Sequence, residues 1–193
     1  MSRPLRAIDS SDRKALWEAL ELAVKHDGPA VFPVPRDYDR NIPLSVDSEV
    51  VLVVETSGST TRPKRVWHTA QSLEAASESV NEELGGPGVW WQALPSNYIA
   101  GVMVLVRALF FGSAVVTREP NHPISDSLMD FAQHAEKEAA DVLRFTSLVP
   151  KQLADLVDAG RREPLVAQAL AGFSRILVGG QKVPRALIAD ALE

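Results

Sequence analysis

The chain contains no cysteine in 193 residues. That excludes a disulfide framework, a thiolate nucleophile and any zinc site built on sulfur, and makes the cytoplasm the default compartment. It also lacks a basic field. Twenty Lys and Arg against 25 Asp and Glu give a net charge of -5, so neither nucleic acid nor an anionic membrane is an expected partner, and any bound anion must be held locally. Long apolar runs are missing too. The most hydrophobic stretch, residues 99–111, is interrupted by Arg107 and falls short of the roughly 20 residues a bilayer span requires; it reads as a buried helix. No apolar leader follows the opening Met1, Ser2, Arg3, Pro4. The four histidines, His26, His68, His122 and His134, show no metal-ligand spacing and read as surface residues.

What is present has the make-up of a globular α/β protein. From Ser10 or Ser11, either of which can cap, Leu16, Leu20, Ala23 and Val24 recur on one helical face until Gly28 and Pro29 stop it. Residues 29–47, rich in proline and aspartate, read as a connecting arm. The run Val50, Val51, Leu52, Val53, Val54 predicts a strand buried on both faces. Further helices are expected over 69–84, 99–111, 125–138, 150–159, 164–171 and 184–192, and strands over 89–94, 114–117, 142–145 and 175–178. This alternation predicts a layered, mostly parallel sheet flanked by helices.

The strand ending at Val54 runs into Glu55, Thr56, Ser57, Gly58, Ser59, Thr60, Thr61, Arg62, Pro63, Lys64, Arg65. Hydroxyls and backbone N–H groups donate to phosphate oxygens, glycine admits close backbone approach, and lysine adds a compact charge. Such a loop can wrap a polyphosphate; the plain alternative is a Ser/Thr-rich surface loop. Gly58 and Lys64 are spaced as in a Walker loop, but Pro63 stands at its second glycine and Arg65 where a magnesium-binding hydroxyl would be. It is therefore not a Walker loop.

Thr56 to Thr60, Pro63 and Lys64 resemble the T-S-G-(S/T)-T-G-x-P-K-G signature of the adenylate-forming superfamily, with Thr61 and Arg65 in place of its glycines. The run from Gly85 to Leu109, with Trp90, Ala93, Leu94, Pro95, Tyr98, Ala100 and Gly101, is similar to the actinobacterial branch of o-succinylbenzoate-CoA ligases. So are Thr146, Ser147, Leu148, Val149, Pro150, Gln152, Leu153 and the segment from Leu177 to Gly180. Asn97 stands where that branch usually places histidine.

The resemblance implies an acyl-adenylate-forming ligase fold, of which residues 1–193 would be a partial N-terminal, AMP-binding domain. Residues 1–47 would be its helix and arm, with the C-terminal small domain absent. It implies an acid–thiol ligase of menaquinone biosynthesis that uses ATP, Mg²⁺ and coenzyme A on a small carboxylate. Thr56, Ser57, Gly58, Ser59, Thr60 and Lys64 would hold the ATP phosphates, with Thr60 towards the metal. Asn97, Tyr98, Gly101, Arg107, Gly179 and Gly180 would meet the substrate or acyl-adenylate. No residue is assigned a catalytic role. On this reading the chain alone turns over little, and an uncovered sheet edge would favour homo-oligomers. The alternative is a non-catalytic nucleotide- or partner-binding relic of the same fold.

Overall fold

The computed structural model describes residues 1–56, 63–119, 121–139 and 141–192. It contains two compact units, one formed by Met1–Glu83 with Pro95–Phe111, the other by Leu84–Leu94 with Gly112–Glu193.

The first unit is built on a five-stranded sheet. Its strands are β1 (Ser2–Asp9), β2 (Ala30–Val34), β3 (Ser45–Asp47), β4 (Val50–Thr56) and β5 (Lys64–Thr69), in the order β3-β1-β2-β4-β5. β1, β2 and β4 run parallel, whereas β3 and β5 close the edges antiparallel. Val50 to Val54 are all buried, as the continuous apolar run requires. The arm expected over 29–47 is instead partly sheet. β2 is buried at all five positions, and Phe32 and Val34 join Val46, Val50 and Val53 in one apolar cluster.

Helix α1 (Arg13–Val24) buries Leu16, Leu20 and Ala23. Its cap falls on Asp12, whose carboxylate accepts from the Ala15 amide at 3.0 Å; Ser11 donates instead to Asp9 at 2.6 Å. At its far end His26 takes a left-handed conformation, with φ of 61°. There the buried Arg3 guanidinium donates to the carbonyls of Ala23 at 2.9 Å and Gly28 at 2.8 Å. Helix α2 (Ala70–Leu84) opens with a reciprocal pair: the Ser72 amide donates to the Thr69 hydroxyl and the Thr69 amide to the Ser72 hydroxyl, each at 3.1 Å. Helix α3 (Ile99–Phe111) buries Gly101 to Val106 and Ala108.

The second unit holds a four-stranded, wholly parallel sheet. β6 (Gly88–Gln92), β7 (Val115–Thr117), β8 (Leu143–Leu148) and β9 (Arg175–Val178) lie in the order β7-β6-β8-β9. Helices α4 (Ile124–Ala135), α5 (Pro150–Gly160), α6 (Pro164–Ala171) and α7 (Arg185–Leu192) complete it. Adjacent strand residues face opposite ways. Trp91 stacks on Phe131 and Phe173 at 6.2 and 6.0 Å within the core, while Trp90 meets Phe145 at 5.2 Å on the other face. Gly88 admits no larger residue, since a Cβ there would sit 2.3 Å from the Leu143 carbonyl oxygen. The Gln152 amide joins β6 to α5: its oxygen accepts from the Val149 amide and its nitrogen donates to the Ala93 carbonyl, both at 3.1 Å.

Candidate functional site

The polar loop leaves the carboxyl end of β4, where open α/β sheets bind their ligands. Ser57, Gly58, Ser59, Thr60 and Thr61 lie outside the described residues, but both stems of the loop are defined. The chain returns as β5, antiparallel to β4, so that Thr56 sits opposite Lys64 and the Thr56 hydroxyl donates to the Lys64 carbonyl at 3.3 Å. Lys64 is exposed at the first position of β5. The polar loop is thus the connection of a hairpin, and β5, absent from the sequence reading, separates it from α2. Arg65 lies in this strand, outside the left-handed region that favours glycine, so its side chain carries no backbone penalty there.

Beneath the stems lies a polar cluster that sequence reasoning missed. The Glu55 carboxylate accepts from the Tyr38 hydroxyl at 2.6 Å, Arg40 Nη1 at 2.9 Å and Arg65 Nε at 3.2 Å. Arg65 Nη2 also donates to the Tyr38 oxygen at 3.0 Å and to the Asn41 carbonyl, while the guanidinium lies 5.4 Å from the Phe32 ring centre. Burial alone would lower the Arg65 pKa; the hydrogen bonds it donates to Tyr38 and Glu55, with their attraction for its charge, outweigh burial and raise it. Burial and the Glu55 carboxylate both push the Tyr38 phenol up. The signal available beforehand was the run of Arg36, Asp37, Tyr38, Asp39 and Arg40 in a segment otherwise read as an arm.

Tyr38, Arg40 and Glu55 of this cluster line a cleft of about 210 Å³. Phe32, Pro33, Val34 and Pro35 give it an apolar side, and Thr56, Pro63, Asn97 and Tyr98 complete the lining. The structure therefore gathers the loop stems with Asn97 and Tyr98. Tyr98 is half exposed, and its carbonyl accepts from the buried Gly101 amide at 3.0 Å, fixing the entry into α3. Neither Gly101 nor Arg107 lines the cleft. Arg107 is carried by α3, where burial lowers its pKa to about 10.

Gly179 and Gly180 belong to the second unit, just beyond β9. The Gly179 amide donates to the Leu148 carbonyl at 3.1 Å, and Gly180 has a φ of +83°, a conformation that favours glycine. A side chain at Gly179 would meet nothing within 4 Å, which leaves its backbone open to close approach. Among the described residues no group of three or more His, Asp or Glu could hold a metal ion, and no helix is long and apolar enough to cross a membrane.

Comparison with known proteins places these features in a family. The AMP-binding enzyme family matches residues 6–193. A probable 2-succinylbenzoate–CoA ligase of Mycobacterium tuberculosis is 34% identical over 191 residues, covering 96% of this chain and 48% of that protein. A 2-succinylbenzoate–CoA ligase of Staphylococcus aureus is 27% identical over 177 residues, covering 89% and 33%. The chain thus spans about half the length of the first relative and a third of the second. Among solved structures, the o-succinylbenzoate CoA synthetase (MenE) of Bacillus subtilis in complex with AMP superimposes with a TM-score of 0.62 at 24% identity, over 98% of this chain and 36% of that one. An acyl-CoA synthetase (AMP-forming)/AMP-acid ligase II-like protein of Dyadobacter fermentans gives 0.52 at 30% identity, over 71% and 36%. With its parallel strands, its hydroxyl-rich loop leaving β4 and a family match running through almost its whole length, the chain belongs to the AMP-binding enzymes.

Proposed function

We propose that the chain is the nucleotide-phosphate-binding portion of an ATP-dependent acid–thiol ligase acting on o-succinylbenzoate in menaquinone biosynthesis, in the cytoplasm. In this reaction a carboxylate oxygen attacks the α-phosphorus of ATP, pyrophosphate leaves, and the thiol of coenzyme A then displaces AMP from the acyl carbon. Charge accumulates on phosphate oxygens, so positioned donors supply much of the catalysis. Lys64 and the loop from Thr56 to Thr60 would neutralise the β- and γ-phosphates. Asn97 and Tyr98 offer hydrogen bonds to an acyl group against the apolar side of the cleft. Gly101 would let the substrate approach the start of α3. Arg107 would offer its charge to a second carboxylate. Magnesium would arrive with the triphosphate, its ligands being phosphate oxygens and water with the Thr60 hydroxyl in support.

The observation that carries this reading is the meeting of Thr56, Pro63, Asn97 and Tyr98 at one cleft, in a chain 34% identical to a probable 2-succinylbenzoate–CoA ligase. Saturating MgATP is expected to raise the unfolding temperature, because a ligand bound only to the folded state stabilises it by RT ln(1 + [L]/Kd). Lys64→Met should remove most of that shift. A wild-type chain whose melting is indifferent to MgATP would refute the proposal. One departure favours the second reading, a binding domain without turnover: Arg65 ties down a stem where the related signature has glycine. Nucleotide binding without ATP–pyrophosphate exchange on adding o-succinylbenzoate is the result that reading requires.

A further inference from the structure

We infer that Arg40 is an additional phosphate-binding residue, a second arm that reaches the leaving pyrophosphate from the wall of the cleft facing the loop stems. This rests on the nucleotide reading above. Two cations, Arg40 and Arg65, bond a single carboxylate, Glu55. The neighbouring Asp37 and Asp39 are exposed and do not line the cleft. Two cations compete for Glu55, and they are placed differently. Arg65 is 22% exposed and also held by Tyr38 and Asn41, so it is the permanent partner. Arg40 is 51% exposed, and among the described residues its one hydrogen bond is to Glu55.

Arg40 also lines the cleft together with Thr56 and Pro63, the residues flanking the loop. Its guanidinium lies 5.9 Å from the Tyr38 ring centre, which supports the plane while other N–H groups stay available. Planar forked donors suit phosphate oxygens. An arriving phosphate can therefore draw Arg40 off Glu55 without stranding a buried charge, because Arg65 and Tyr38 continue to satisfy the carboxylate. In this chain the arginine at position 65 releases the one at position 40 for the ligand.

The test is calorimetric titration of the full chain with magnesium pyrophosphate, comparing wild type, Arg40→Met and Arg40→Lys. Arg40→Met should weaken binding by about tenfold or more, the loss of one charge-assisted contact, and should reduce the salt dependence of the affinity. Arg40→Lys should recover part of the affinity. Matching circular dichroism and melting would show that the variants fold. Equal affinity in wild type and Arg40→Met would overturn the role of Arg40 and leave the nucleotide reading standing. Wild-type protein that does not bind pyrophosphate would overturn both.

Discussion

Replacing Arg65 by the glycine found at this place in the related signature tests how the β4–β5 hairpin is held. Arg65→Gly removes a charge-assisted hydrogen bond to Glu55, the two partners being 22% and 17% exposed. That contact is worth about 1.5–3 kcal/mol. The Phe32 contact adds about 0.5–1 kcal/mol, and glycine within a strand costs roughly another 0.5–1 kcal/mol. Glu55 keeps Tyr38 and Arg40, so no buried carboxylate is orphaned and the penalty stays below that of breaking an isolated pair. The expected loss is about 2.5–5 kcal/mol, read as a lower urea midpoint of the transition that includes β4 and β5. A double-mutant cycle with Glu55→Gln isolates the pair and should return a coupling of at least about 1 kcal/mol. A coupling below about 0.5 kcal/mol, the error of additivity, would refute the view that this pair pins the stems.

Arg3→Met should destabilise the first unit by about 2–4 kcal/mol in chemical denaturation, because the Gly28 carbonyl loses both its guanidinium donors and the end of α1 loses a cap. Arg3→Lys should recover only part of this, since a point charge cannot serve several carbonyls in fixed directions. His68, expected at the surface, is instead partly buried in β5 and supplies a pH dependence. Burial holds its pKa below 6.5, so the fold favours neutral imidazole; its contribution is complete above pH 6.5 and is lost as pH falls from there towards the depressed value. The melting temperature of His68→Leu relative to wild type should accordingly rise as pH is lowered from 8 to 5, and a constant difference would contradict this.

Elements with one dominant physical cause were legible from the residues. β4 was visible because both faces are buried, and α3 because apolar residues fill it almost all round. The parallel strands of the second unit stood out as short apolar runs between helical periods. The strands that escaped are those whose sequence argues against them. β1 carries Pro4 and turns a buried arginine inward. β2 has Pro33 in its interior, a residue that normally speaks against a strand. β5 is a charged edge strand. The site divided in the same way. Thr56, Lys64, Asn97 and Tyr98 come from contiguous motifs and could be named in advance, whereas Tyr38, Arg40, Glu55 and Arg65 converge from three segments and acquire meaning only when β2, β4 and β5 are placed side by side.

The amide at Gln152 has an evolutionary consequence. It must give a proton on one side and take one on the other, in a single rigid group of fixed reach. Glutamate would turn an acceptor towards the Ala93 carbonyl, methionine would serve neither neighbour, and asparagine is a methylene too short. Drift at this codon is therefore closed in every chemically conservative direction.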